Sequence, residues 1–250
     1  MENLTKYNFY TLITDNKEVI LRVISKGTID ENVPSIEVYK KGKWIDDTRV
    51  TKSFMNKYVT GWITKEDILD TEIVREALIT GVAYRTILAR NFALEKHKNQ
   101  KYGIHSYEVH LTNVVNVLLH FGLSLDEDII LMSAWLHDVI EDSGIEKYLL
   151  STYFGEEVTE IVELVSNQKD NNKTKEENKK VTFERIATNQ KAMIVKLADR
   201  ITNVEFSLLH GNVDKIKKYK KEQPLIEAAF ESKIITKIGL IMYKYLKELL

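Results

Sequence analysis

Met132-Ser-Ala-Trp-Leu-His-Asp-Val-Ile-Glu-Asp142 is an apolar run of core type that ends in four polar groups. An apolar stretch of this kind reads as a helix that is buried until it reaches a polar site. Helical spacing puts Glu141 one turn after His137 and Asp142 one turn after Asp138, so two acids and two candidate ligands share one helix end. A solvated helix terminus would carry the same letters, and a His-Asp pair alone does not separate the two readings.

The flanking segments bear on the choice. In Val109-His-Leu-Thr-Asn-Val-Val-Asn-Val-Leu-Leu119, His110 shares the apolar face of an amphipathic helix with Val114 and Val117. A single histidine there is either a hydrogen-bonded core residue or a ligand. In Met193-Ile-Val-Lys-Leu-Ala-Asp-Arg-Ile-Thr-Asn203, Asp199 interrupts an apolar helix face. A buried unpaired carboxylate costs several kcal/mol, so Asp199 requires either a cationic neighbour, Arg200 or Lys196, or a metal ion.

Composition narrows the classes. With 44% hydrophobic and 29% charged residues over 250 positions, the chain has enough apolar material for a folded core. Its 36 Lys and Arg against 37 Asp and Glu leave a net charge of -1, which gives no global attraction to nucleic acid or an anionic membrane. The basic cluster Lys215 to Lys221, flanked by Asp214 and Glu222, reads as a solvated helix face. There is no cysteine, so only histidines and carboxylates remain as metal ligands. Met1 to Lys6 leads into polar sequence rather than a secretory signal, and no run of about 18 apolar residues would span a membrane. The expectation is a cytoplasmic protein with neither a nucleic-acid nor a membrane partner; association into a homo-oligomer stays open.

The first sixty residues differ from the rest. Asn8 to Thr14, Glu18 to Ile24 and Ser35 to Tyr39 are short, β-branched and aromatic, with turn signals at Asp15-Asn16 and Lys41-Gly42-Lys43, which predicts an antiparallel meander. Thr64-Lys-Glu-Asp67 then matches an N-capping pattern for a helix ending near Gly81. Helices are expected at 83–99, 106–121, 126–141, 146–166, 181–187, 190–209 and 213–249, the last interrupted near Pro224, with 167–180 a polar loop. The expected class is α+β: a β-rich module over 1–62, a linking helix over 63–82 and an all-α bundle over 83–250.

Four residues in order, His110, His137-Asp138 and Asp199 within Lys196-Leu-Ala-Asp-Arg-Ile-Thr-Asn203, resemble the HD phosphohydrolase superfamily, in particular its RelA/SpoT-type alarmone hydrolases. Phe92 to Gly103, Tyr107-Glu-Val-His110, His137 to Asp142 and Val195 to Arg200 are similar to that branch's signatures, and the likeness runs from about Tyr84 to Leu209. It implies one divalent metal held by His110, His137, Asp138 and Asp199, with manganese first and Fe²⁺, Zn²⁺ or Co²⁺ as alternatives. It also implies that Glu141 and Asp142 position or activate the attacking water, and that Asn203 orients substrate or a ligand. The substrate implied is a nucleotide phosphate ester, a (p)ppGpp-like 3′-pyrophosphate or another nucleoside phosphate; a non-catalytic nucleotide sensor is the alternative. Lys98, Lys101, Lys169, Lys173 and Arg185 are candidates for the phosphates, each also readable as a surface charge. The chain departs from the branch in carrying Lys101-Tyr102-Gly103 where basic residues follow the glutamine equivalent to Gln100, and Leu111 where a proline follows the first metal histidine.

Overall fold

The computed structural model describes residues 8–14, 17–24, 35–41, 43–46, 69–167 and 170–250, which divide by contact into units 1–87 and 88–250. In the first unit, β1 (Asn8–Thr14), β2 (Lys17–Ile24), β3 (Ser35–Lys40) and β4 (Lys43–Ile45) pair in sequence order as an antiparallel meander. Phe9 faces Arg22, Leu21 faces Val38 and Tyr39 faces Trp44 across the ladders. One face buries Tyr10, Leu21, Ile36 and Val38, and the other buries Phe9, whose ring lies 5.8 Å from that of Trp44. The Arg22 guanidinium lies 4.6 Å over the Trp44 ring and holds Glu37 at 2.6 Å. The turn signal Asp15-Asn16 and the capping pattern Thr64 to Asp67 lie outside the described residues. Helix α1 (Thr71–Thr80) instead starts at Asp70, whose carboxylate accepts the N–H groups of Glu72 and Ile73, and it ends on Gly81.

The second unit begins inside α2 (Tyr84–Lys96). A two-stranded hairpin, β5 (Lys101–Tyr102) with β6 (His105–Ser106), leads into α3 (Glu108–His120). Gly103 turns this hairpin at φ 63°, and a β-carbon there would lie 3.5 Å from the Phe206 ring. The stretch expected as one helix over 126–141 is two, α4 (Asp128–Leu136) and α5 (Val139–Ser143), broken at His137-Asp138. Asp138 sits at φ −105°, ψ −1°, at the edge of the right-handed helical region, so the chain bends at the His-Asp pair. The stretch expected over 146–166 likewise splits into α6 (Lys147–Phe154) and α7 (Glu156–Val165), because Gly155 at φ 88°, ψ 164° cannot continue a helix.

The largest departure is α8 (Lys175–Ile186), which starts well inside the expected loop. Its start is a reciprocal capping box: Thr174 accepts the Glu177 N–H while the Glu177 carboxylate accepts the Thr174 N–H. The Asn178 amide also ties the carbonyls of Asp170, Lys173 and Thr174. Local capping thus organises a segment that has little apolar periodicity. Pro224 does not interrupt its helix: α10 (Val213–Phe230) runs through it, and the break falls between Phe230 and Lys237, where α11 (Lys237–Leu249) begins. The proline leaves the Lys220 carbonyl without its helical donor, at an exposed residue.

At the centre lies α9 (Gln190–Leu209), packed by α3, α4, α7, α10 and α11. Every residue from Ala192 to Thr202 except Lys196 is buried. A helix buried all round is held by its neighbours rather than by an amphipathic stripe. Asp199 and Arg200 are thereby carried into the interior by apolar packing on either side of them.

Candidate metal centre

Three helical elements deliver the predicted ligands to one point. His110 stands in the first turn of α3, His137 and Asp138 at the α4–α5 bend, and Asp199 halfway along α9. Ligating atoms of His110, His137 and Asp199 all lie within 4.8 Å of one another. The two Nε2 atoms are 3.2 Å apart, and Asp199 Oδ1 is 3.5 Å from that of His110 and 3.9 Å from that of His137. Asp138 Oδ2 joins them at 3.0 Å from His137 and 3.6 Å from His110. Two atoms bonded to one cation at about 2.1 Å and 90–135° apart are separated by about 3.0–3.9 Å, so His110, His137 and Asp199 fit a single ion, with Asp138 Oδ2 beside both histidines.

The tautomer of His137 fits as well. His137 Nδ1 donates to the Ala134 carbonyl at 2.7 Å, which leaves Nε2 to present its lone pair to the centre. Two imidazole nitrogens and two carboxylate oxygens gathered this closely in a buried place call for positive charge between them. Without a metal that charge is a proton. Burial of His137 works against its cationic form, but Asp138 and Asp199 outweigh burial, and its pKa is pushed up to about 9. Burial would raise the Asp199 carboxyl, yet Lys196, His137 and His110 hold it down at about 2. Against the same burial, His137 and His110 keep Asp138 well below the usual carboxylate range.

Neighbours orient each ligand. The Tyr107 hydroxyl donates to Asp138 Oδ2, and burial together with that carboxylate raises the phenol far above its ordinary pKa, so it remains a donor. The Lys196 ammonium meets Asp199 Oδ2 at 2.8 Å, and the Asn203 amide donates to Asp199 Oδ1 at 2.5 Å. Asn203 is itself aligned by the Tyr102 hydroxyl at 3.1 Å. Asp199 therefore has both a cationic partner and a face toward the histidines. The two acids after the His-Asp pair are held differently. Both oxygens of Glu141 accept from Asn167, the backbone N–H at 3.0 Å and the side-chain amide at 2.9 and 3.1 Å. Asp142 accepts one bond, from Gln100 Nε2 at 2.7 Å, and Gln100 in turn accepts from His97 Nδ1 at 2.7 Å. All these acids line one polar cavity of about 330 Å³.

Of the substrate-contact candidates among the described residues, Asn203 lines this cavity, whereas Lys98, Lys101, Lys173 and Arg185 do not. Lys98 is exposed and paired with Glu95 at 2.6 Å. Lys101 is an exposed strand residue, and Lys173 pairs with Asp170 at 3.3 Å. Arg185 is directed to the main chain, donating to the carbonyls of Leu164 at 3.2 Å and Ser166 at 2.5 Å, which closes the end of α7. Lys169 lies outside the described residues. The cations that do line the cavity are Lys179, Lys196, Arg200 and Lys218. Lys218 belongs to the stretch expected to be a solvated face; the corner between α8, α9 and α10 brings it and Tyr219 to the site. Lys179 had no sequence signal, because it sits among charged residues of similar kind.

The family model of the HD domain matches residues 89–232. Guanosine-3′,5′-bis(diphosphate) 3′-pyrophosphohydrolase MESH1 of Xenopus tropicalis is 36% identical over 120 residues, 46% of this chain and 65% of that protein. Its Danio rerio counterpart is 34% identical over 128 residues, covering 50% and 68%. The chain thus spans about two thirds of the length of these relatives. The solved structure of a metazoan ortholog of SpoT, described as hydrolyzing ppGpp and playing a role in starvation responses, superposes with a TM-score of 0.52. At 23% identity over 67% of this chain and 98% of that one, the likeness is one of fold. Matched over more than half its length by that family model, the chain belongs to the HD-domain family.

Proposed function

We propose that the protein is a metal-dependent phosphohydrolase acting on a nucleotide phosphate ester, with the 3′-pyrophosphate of a (p)ppGpp-like nucleotide as first choice and simpler nucleoside phosphates second. One observation carries the reading: two imidazole nitrogens lie 3.0–3.9 Å from each other and from one oxygen each of Asp138 and Asp199, beside a cavity that also holds Glu141, Asp142 and Glu222. The names of the metazoan relatives support the choice of substrate.

His110, His137, Asp138 and Asp199 would hold the cation, and nitrogen with hard oxygen donors suits Mn²⁺ first, with Fe²⁺, Zn²⁺ or Co²⁺ as alternatives. Bound there, the cation supplies Lewis acidity at a phosphoryl oxygen and a lowered pKa for water. The chain's own groups do the rest. Tyr107, Lys196 and Asn203 fix the two carboxylates, so ligand geometry does not reorganise as substrate enters. Asp142 accepts a proton from the attacking water through its second carboxylate oxygen, while Gln100 holds the first. Lys196 and the more distant cations of the cavity offset the charge of the phosphate. With such a substrate, the place of action is the cytoplasm.

Incubating the protein with Mn²⁺ and guanosine 3′,5′-bis(diphosphate), nucleoside mono-, di- and triphosphates, with and without chelator, tests this. Chelator-sensitive release of pyrophosphate or phosphate is expected. Saturable binding of these nucleotides without turnover would replace the hydrolase with the sensor.

A further inference from the structure

A third buried histidine lies beside the centre and is not one of its ligands. His97 directly follows α2, is 3% exposed, and donates its main-chain N–H to the Ala93 carbonyl at 3.0 Å. Its ring stacks on that of Tyr107, with centroids 4.8 Å apart and planes 30° from parallel. The His97 carbonyl accepts the Gln100 N–H at 2.8 Å, and the Gln100 carbonyl accepts the Tyr107 N–H at 3.1 Å. The turn that carries His97 and Gln100 is therefore fixed by main-chain bonds at both ends.

The side-chain bonds from this turn run in one direction. A carboxylate only accepts, so the Gln100 group 2.7 Å from Asp142 Oδ2 is its NH2, and its Oε1 is turned to His97 Nδ1 at 2.7 Å. An acceptor in that place requires the proton on Nδ1. These are the two partners of the Gln100 side chain among the described residues. The two ends of an amide are nearly the same size, so shape does not decide which end faces Asp142; the His97 donor does. With the amide reversed, its oxygen would meet the Asp142 carboxylate and its NH2 the His97 N–H, and both contacts would repel. The other ring nitrogen, Nε2, is buried with no hydrogen-bond partner among the described residues. A buried polar atom without a partner costs stability, and an apolar ring would fill the same place without that cost. The Nδ1 donor is what a histidine adds over such a ring.

We propose that His97 is a positioning residue for the hydrolysis, acting through Gln100 on Asp142. The His97 N–H sets the Gln100 amide, the amide ties one Asp142 oxygen, and the other oxygen is left free in the cavity to take the proton of the attacking water. Asp142 is exposed and has this one side-chain bond, so without a set amide its carboxylate turns freely. The effect on turnover rests on the hydrolase reading; the direction of the bonds from His97 through Gln100 to Asp142 does not.

That direction is tested without turnover, by long-range nitrogen–proton NMR of the protein with Zn²⁺ added in place of paramagnetic Mn²⁺. The His97 signal, identified by its loss in His97→Phe, is expected to show the proton on Nδ1, and a ring without a proton there overturns the proposal. His97→Phe keeps a ring against Tyr107 and removes the donor. With Mn²⁺ and guanosine 3′,5′-bis(diphosphate) it is expected to lower kcat about 10-fold, while KM and metal content stay within about threefold. Gln100→Met, which breaks the same chain one residue later, should lower kcat to the same extent, and the double variant no further. In an Asp142→Asn background, His97→Phe should lower kcat by less than about twofold, because the group through which His97 acts is already lost. A merely structural role would lower kcat alike in both backgrounds; that result, or wild-type kcat in His97→Phe or Gln100→Met, overturns the proposal. Wild type that carries the proton on Nδ1 but hydrolyses nothing would sink the hydrolase and uphold the bond direction; hydrolysis indifferent to His97 and Gln100 would do the reverse.

Discussion

Asp142→Asn is the perturbation that isolates the proton-accepting step. Asp142 is exposed on the cavity wall and has one partner among the described residues, Gln100 Nε2 at 2.7 Å. An asparagine can turn its carbonyl to Gln100 and keep that bond, so the side chain stays placed and only the second oxygen becomes an amide that cannot accept a proton. The expected loss is that of general-base catalysis, about 10²- to 10⁴-fold in kcat, or about 2.7–5.5 kcal/mol. Metal content and KM should stay within about threefold, because neither a ligand nor a phosphate-facing cation is touched. Glu141→Gln should behave differently. Both Glu141 oxygens accept N–H groups of Asn167, and a glutamine would turn an amide toward at least one of them. An exposed charge-assisted bond of this kind contributes about 1 kcal/mol, so the start of the segment after α7 loosens and KM rises along with any fall in kcat. Steady-state kinetics of the two variants at saturating Mn²⁺, with metal content by elemental analysis, separate the roles. An Asp142→Asn enzyme turning over at the wild-type rate would remove Asp142 as the base; a fall in kcat matched by a fall in metal content would make it a positioning residue instead.

Asp138→Ala and Asp199→Ala should abolish retention of Mn²⁺ on a desalting column, whereas Lys218→Ala should retain it at wild-type stoichiometry; equal occupancy in all three contradicts the ligand set. In the metal-free protein, His137 has a pKa of about 9 against its ordinary 6.5, so its stabilising contribution is complete below pH 6.5 and lost as pH rises through 9. Asp199, at about 2 against 3.8, contributes above pH 3.8 and loses its contribution as pH falls through 2. The Tm of the metal-free protein should accordingly fall between pH 6.5 and 9. Because a metal ion takes the proton's place, the increment in Tm given by Mn²⁺ should grow over that range, and a flat increment would be inconsistent with a protonated His137. Arg185→Met removes two bonds to carbonyls at the end of α7, so it should cost about 1–3 kcal/mol in urea unfolding yet leave KM unchanged; a selective rise in KM would restore Arg185 to the substrate site.

Much of the molecule was legible before any coordinates. The period-two strands of the first forty-five residues, and the apolar helices carrying His110 and Asp199, follow from local periodicity, which a sequence displays directly. The cluster of candidate ligands was legible because a carboxylate such as Asp199 in an apolar face demands a partner, and the resemblance named the residues proposed to share it. Elements governed by something other than periodicity were not legible in the same way. The bend at His137-Asp138 depends on the backbone angles of Asp138, and the start of α8 depends on a capping box and an asparagine tied to three carbonyls, in a segment too charged to show an apolar face. Tertiary structure alone decided which basic residues face the cavity. Lysines carry the same charge and flexible stem everywhere in the chain, so nothing local distinguishes Lys179 and Lys218, which the packing of α8 and α10 on α9 turns inward, from Lys98 and Arg185, which satisfy a neighbouring acid and two main-chain carbonyls elsewhere.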